Sequence, residues 1–441
     1  MPENINKVAF NLFILYLVSF FLHLPARIPF LGIIRFDMVL VAAICFYIFG
    51  GGPSMRPKMD IASRYLLSIF VFSIISLPLV EWPGSVIGGG LVLFIKGAIF
   101  YFFAVNLITT ERRLKITIFW FVILNLIRVI EPLILNLATG YLGSRTHLGG
   151  GEFAGRLSGA PSDTINPNGL AFVIATIIPF LHYVFFPINK KTKVIYFLLL
   201  PVLAYVMMLT LSRSGVLALA IISFGIFLKS NRKFLLLVVG VTGVFMMFLS
   251  MNDIQKDRYL SLVSSDTRQS GSAEGRIEGW VRDFEVAMNR PIIGHGLGNS
   301  REANWNVAGK DQISHILWAE IWQEIGLIGL VIFILYLKVM ITNFIKAGEL
   351  VKNNFPVDSF LYRVIQAMQV WLLMNLLFSL ASYGLKSYEW YFFGGLSVAV
   401  LSIVENKIAN DNANKGPGAV QPVRSARYQL AEKINRKRRV T

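Results

Sequence analysis

The sequence predicts an all-α polytopic membrane protein with about twelve transmembrane helices and one large outward loop that itself contains helix. Three observations predict it. Of the 441 residues, 55% are hydrophobic and 15% charged, whereas ordinary soluble domains carry about 25% charged residues; the mean hydropathy is +0.61. Almost uncharged stretches of roughly 18 to 22 residues recur along the chain, the length a helix needs to cross a bilayer. Charge, Pro and Gly punctuate those stretches, as in "GGPSMRPK", "TTERRLK", "FPINKKTK" and "LKSNRK".

The first span, 8–24, has no small-residue cleavage pattern after it and reads as a retained helix rather than a removed signal peptide. The next follow at 36–51, 64–80, 86–109, 115–136 and 168–187. The only cysteine, Cys45, lies in the second, so neither an intramolecular disulfide nor a cysteine metal site can form. Residues 194–228 carry Arg213 as their single charge. As one helix they would measure about 52 Å, against a hydrocarbon core of about 30 Å. Two spans, 194–212 and 214–229, fit better, with a hairpin at Ser212-Arg213-Ser214-Gly215 in which Gly215 supplies the turn conformation. The last four run 233–251, 318–342, 365–382 and 388–404. Lys96 and Arg128 fall inside spans and are site candidates on that ground, although Arg128 has Glu131 at i+3 as a local partner.

Orientation follows from Lys and Arg in short loops. With the basic tail and segment 252–313 set aside, one side holds seventeen, from Lys7 to Arg363, and the other six: Arg27, Arg35, Arg145, Arg156, Arg213 and Lys386. The first side is cytoplasmic, so both termini are cytoplasmic, and Arg213 and segment 252–313 face outward. The net charge of +17 then reflects cytoplasmic loops and anionic membrane lipids rather than nucleic acid. The tail from about 405, ending "KINRKRRVT", reads as a disordered cytoplasmic end that helps fix topology, with contact to anionic lipid as a second reading.

The outward side collects unusual residues. "GGGEFAGRLSGAPSDTINPNGLA" (149–171) reads as a shaped loop rather than strand or helix, with Arg156 in its middle and Asn168 as a cap for the following helix. "EGRIEGWVRDFEVAMNRPIIGHGLGNS" (274–300) has a helical pattern that puts Ile277, Trp280, Phe284 and Ala287 on one face, with Arg276 at its start. "GHGLG" is a turn and not a dinucleotide loop, because no strand-loop-helix unit leads into it. In "SHILWAEIWQEIGLIGL" (314–330), His315, Ala319 and Trp322 share a helical face and Glu320 and Glu324 are one turn apart.

Each feature has a plainer reading: a headgroup anchor for Arg213, a cap or packing role for His315. Yet the Arg213 hairpin has no acid near it in sequence, which favours an anionic partner. No His, Cys, Asp or Glu cluster has metal-ligand spacing, and no outward carboxylate pair of the glycoside-hydrolase kind is evident. No cofactor or metal is called for. Arginine forks match phosphate oxygens and can stabilise a pyrophosphate leaving group. A neutral histidine can accept a proton from an attacking hydroxyl. Together these residues suit transfer from a membrane-held phosphorylated donor to a hydroxyl.

Four stretches in this order, "GRLSGAPSDTINPNGLA", "LTLSRSGVLAL", "GRIEGWVRDFEVAMNRPIIGHGLGNS" and "SHILWAEIWQEIGLIGL", cover about 155–330. With them the chain resembles the O-antigen ligase and polymerase superfamily of bacterial polytopic glycosyltransferases. The resemblance implies a transmembrane glycosyltransferase domain over 1–404, with 252–313 as its periplasmic loop and 405–441 as the tail, in a bacterial inner membrane. It implies a metal-independent, inverting transfer of glycan from undecaprenyl pyrophosphate to lipid A-core or another glycan acceptor. Arg213 and Arg276 would hold the pyrophosphate, with Arg156 beside them. His315, followed by Glu324, Gly326 and Gly329, would assist the acceptor hydroxyl. Members commonly carry Asn after this histidine; here the residue is Ile316. A polymerase of the same superfamily, joining repeat units, has the same motifs, as does a protein O-glycosylating variant. A lipid-linked glycan transporter is the alternative of another class, but it should show internal repeats, and no clear repeat relates the halves.

Overall fold

A computed structural model describes residues 2–50, 59–149, 152–251, 256, 259, 271–314, 316–380 and 384–414. The chain is an all-α polytopic membrane protein. Its principal helices are α1 (Pro2–Leu22), α2 (Phe36–Gly50), α3 (Ile61–Ile75), α4 (Leu91–Leu107), α5 (Glu111–Thr139), α6 (Pro167–Phe180), α7 (Lys190–Thr210), α8 (Arg213–Lys229), α9 (Lys233–Ser250), α10 (Gly271–Asn289), α11 (Ser300–Ala308), α12 (Leu317–Asn354), α13 (Phe360–Phe378) and α14 (Tyr388–Asn414). Each of the twelve expected spans overlaps one of these helices, and α10 and α11 lie within segment 252–313. Among the described residues seven helices are long and apolar enough to cross a membrane: those within Pro83–Leu107, Glu111–Thr139, Pro167–Phe185, Lys190–Thr210, Leu317–Asn354, Phe360–Phe378 and Tyr388–Ala413. Three more, Asn6–Leu22, Phe36–Gly50 and Ile61–Ile75, are apolar but shorter.

Local chemistry sets the helix starts. Asp60, Thr110, Asn189, Ser212 and Ser359 each cap the following helix by accepting a backbone N–H. The core centres on α14, which packs against α4 and α12. Its aromatic run Tyr391, Phe392 and Phe393 is fully buried, with Phe393 stacked on Trp371 of α13 and Phe392 against Phe121 of α5. Gly395 lets the helix approach α4: a Cβ there would lie 2.7 Å from the Tyr101 carbonyl oxygen.

Polar contacts sort the connecting segments into two ends. At one end Lys229 donates to Gln366 and Gln369, Lys346 meets Glu405, and Lys407 meets Glu111. At the other Arg27 meets Glu131, Arg128 meets Asp163, Arg290 meets Glu81, and Lys386 meets Glu324.

Several expectations need correction. Segment 149–171 is not all loop: β1 (Gly143–Gly149) and β2 (Glu152–Leu157) pair as an antiparallel hairpin, because the partner strand begins before the glycine-rich stretch that drew attention. Arg128 pairs with Asp163 rather than Glu131, which turns to Arg27. Lys96 lies exposed on the side of α4 and joins no site. Helix α14 runs to Asn414, so residues 405–414 are not a tail: Ile408 packs on the core and Lys407 and Glu405 are tied to other helices. Residues 415–441 lie outside the described residues.

Candidate active site

The β1–β2 hairpin delivers Arg156. Along β2 side chains alternate, leaving Phe153 exposed and burying Ala154 and Arg156. The Arg156 Nε donates to the Thr210 carbonyl at 2.8 Å and its Nη2 to Asn168 Oδ1 at 2.8 Å. Thr210 ends α7, so its carbonyl lacks a helical partner and takes this one instead. The chain turns through Leu211, which adopts the left-handed region at φ 50°. Ser212 then caps α8: its Oγ accepts from the Gly215 amide at 3.1 Å and donates to Asn168 Oδ1 at 2.9 Å. Arg213 follows as the first residue of α8, 8% exposed. Asn168 therefore joins Arg156 to the turn that carries Arg213.

Two details of this turn differ from expectation. Asn166, not Asn168, caps α6 by accepting from Gly169 N. Pro167 has no N–H and takes the first helical position, which fixes the cap one residue before it. Asn168 is thereby freed to hold Arg156 and Ser212. Gly215 is helical and serves close packing rather than the turn: a Cβ there would lie 2.5 Å from Ala171 Cβ and 2.7 Å from Met207 Sδ.

The second half of the site is built on α10 and α12. Arg276 lies on α10; its side chain and all of His315 fall outside what is described. The residues flanking His315 are anchored. Ser314 Oγ donates to Asp283 of α10 at 2.9 Å, and Leu317 N donates to the Ser379 carbonyl at 3.2 Å. Helix α12 starts at Leu317 after Ile316, so His315 precedes the helix that was expected to carry it beside Ala319 and Trp322. Ser379 follows Phe378, which stacks on Phe172 of α6 at 5.1 Å. The start of α12 and helix α6 thus both contact the C-terminal end of α13.

Helix α12 is interrupted. Gly326 takes φ 64°, ψ −171°, a region open essentially to glycine alone. Segment 291–296 threads the gap and replaces the missing helical bonds. His295 N donates to the Gln323 carbonyl and Gly296 N to the Glu324 carbonyl, while Leu327 N donates to the Pro291 carbonyl. A Cβ on Gly326 would strike the Ile292 carbonyl, and one on Gly294 would lie 2.6 Å from Gly326 N. Fully buried Glu324 then accepts from Gly298 N at 2.7 Å, and Lys386 stands 3.5 Å away. Glu320 accepts from Gly384 N and Leu385 N at 2.9 Å each. The two carboxylates pin the glycine turn and the 384–387 segment to α12.

Residues 171–334 match the family model described as O-antigen ligase. Over this segment the chain is similar to the O-antigen ligase superfamily. No curated protein matches it.

Three of the four candidate residues, Arg213, Arg276 and His315, fall within this O-antigen ligase segment, and Arg156 lies just before it. The superfamily comprises membrane glycosyltransferases of ligase and polymerase type, acting on lipid-linked glycans and acceptors. Outside the matched segment, the neighbouring part of the same end is closed by a buried pair: Arg128 Nε and Nη2 reach Asp163 at 2.7 and 3.1 Å. Sequence spacing did not reveal this pair, since its members lie 35 positions apart. Among the described residues no group of three or more His, Cys, Asp and Glu is placed to hold a metal ion.

Proposed function

We propose that this chain transfers a glycan from undecaprenyl pyrophosphate to a hydroxyl acceptor at the periplasmic face of a bacterial inner membrane, in the manner of an O-antigen ligase. The observation that carries this reading is the junction of Arg156 with the Arg213 turn, which concentrates two buried guanidinium groups at one end of the bundle. Planar forks match the oxygens of a pyrophosphate and remain charged at any relevant pH. With Arg276 they supply the positive charge that stabilises the leaving group. His315, neutral, takes the proton of the acceptor hydroxyl as its oxygen attacks the anomeric carbon. The bond from that carbon to the pyrophosphate oxygen breaks, the configuration inverts, and undecaprenyl pyrophosphate departs.

The test uses purified protein in EDTA with undecaprenyl-pyrophosphate repeat units and candidate acceptors. Arg213→Ala should lower transfer by roughly a hundredfold or more, the usual cost of losing one preorganised charge-stabilising donor, while membrane insertion stays intact. Arg213→Lys should also fail substantially, because an ammonium lacks the fork. Normal turnover by well-inserted Arg213→Ala protein would overturn the reading. A product ladder formed without added acceptor and lost in His315→Ala would make the enzyme a polymerase; products that appear only with lipid A-core would make it a ligase.

A further inference from the structure

We propose that α10 is an interfacial helix whose apolar face lies in the bilayer leaflet on the side of the Arg213 turn. The helix divides into three sectors. One is buried against the protein: Asp283, Val286 and Ala287 are at most 1% exposed, and Asp283 is held by Asn304 and Ser314. A second, with Glu278, Glu285 and Asn289, is exposed and polar. The third is exposed and apolar: Trp280, Val281, Phe284 and Met288 are 37, 56, 51 and 51% exposed. At 3.6 residues per turn these four fall in one arc of about 100°. Buried polar groups, a polar rim and an outward apolar arc fit the boundary between headgroups and acyl chains.

Two contacts fix the occupant of that arc as lipid. Phe284 meets Trp322 of α12 edge to face at 5.0 Å. Beyond the helix, the Pro291 carbonyl accepts from Leu327 N at 2.8 Å. Leu327 lies just past the Gly326 break, ten residues after the start of α12, on a stretch apolar enough to span the membrane. Exposed Ile292 therefore adjoins Leu327 and Ile328, which are themselves 48 and 41% exposed on the side of that span. The arc on α10 thus continues the lipid-facing surface of α12, and its tether reaches to the same depth. Arg276 stands one turn before Trp280, so the embedding would hold its backbone at headgroup level. That last step alone rests on the proposed function.

The experiment measures depth, not transfer. Cys45 is the single native cysteine, so a Cys45→Ser background accepts one spin label at a time. The full chain, carrying Val281→Cys, Phe284→Cys or Met288→Cys, is placed in nanodiscs of phosphatidylethanolamine and phosphatidylglycerol. Labels at these positions should collide more with oxygen than with a water-soluble nickel chelate. Labels at Glu278→Cys, Glu285→Cys and Asn289→Cys should show the reverse, with helical period. Preference for the nickel chelate at all six positions would overturn the proposal. So would protection of the apolar arc from both reagents, which would mark a protein partner there. A label at Leu327→Cys reports whether the span itself is inserted, so that failed insertion is not mistaken for a shallow helix.

Discussion

Asn168 shows how much one side chain decides at the candidate site. Its Oδ1 accepts from both Arg156 and Ser212, which locks the hairpin arginine to the turn that carries Arg213 without adding a negative charge. Asn168→Asp keeps both hydrogen bonds but sets a carboxylate against Arg156. On the proposed function it should leave the thermal unfolding midpoint nearly unchanged while raising KM for the pyrophosphate donor severalfold; an unchanged KM would separate Arg156 from donor binding. The sequence marked this residue as polar and near a helix start, but gave it the cap. "NPNG" contains two asparagines, and only the placement of Pro167 at the first helical position distinguishes them. Arg128 carries the same lesson. Its i+3 neighbour Glu131 is a sound local partner, yet the fold offers Glu131 to Arg27 and Asp163 to Arg128.

At the scale of elements, helices were legible and their interruptions were not. Long apolar runs leave a membrane chain few choices other than helix, because every backbone N–H and C=O must be satisfied within the lipid. Residues 318–342 accordingly read as a span. Nothing in that stretch announces that a segment thirty residues upstream supplies hydrogen bonds across a break. Gly326→Ala tests the break. The new Cβ would strike the Ile292 carbonyl in a backbone region closed to alanine, so stability should fall by about 3 kcal/mol or more, the backbone strain alone costing roughly 1–3 kcal/mol. Gly88→Ala is the control: a Cβ there meets nothing within 4 Å, and its unfolding midpoint in detergent should stay near that of the parent. The periodicity of α10 was also legible, but its face was not. Pattern alone gathers Ile277, Trp280, Phe284 and Ala287 on one face, whereas the helix buries Asp283 and Ala287 and leaves Trp280 and Phe284 exposed. Apolar periodicity reports two apolar surroundings, protein and lipid, without telling them apart.

For the whole molecule, the buried pair Arg128–Asp163 fastens α5 to the turn between β2 and α6 and so closes one end of the bundle. Arg128→Gln leaves the Asp163 side chain, 1% exposed, without its guanidinium partner and should cost about 3–5 kcal/mol, the usual penalty for breaking a buried pair. Arg128→Gln with Asp163→Asn should recover most of that loss. A double-mutant cycle from unfolding midpoints checks it, and additive losses would show that the two groups do not act as a pair. The sequence by itself determined the membrane class, the helix positions and the likeness of one segment to the O-antigen ligase family, because hydropathy and short motifs are carried by neighbouring residues. The tertiary structure alone decided which charges pair, that Asn168 joins Arg156 to the Arg213 turn, that α12 opens at Gly326, and which face of α10 is left outward. Those outcomes depend on backbone approaches and partners tens of residues apart, and no local pattern encodes them.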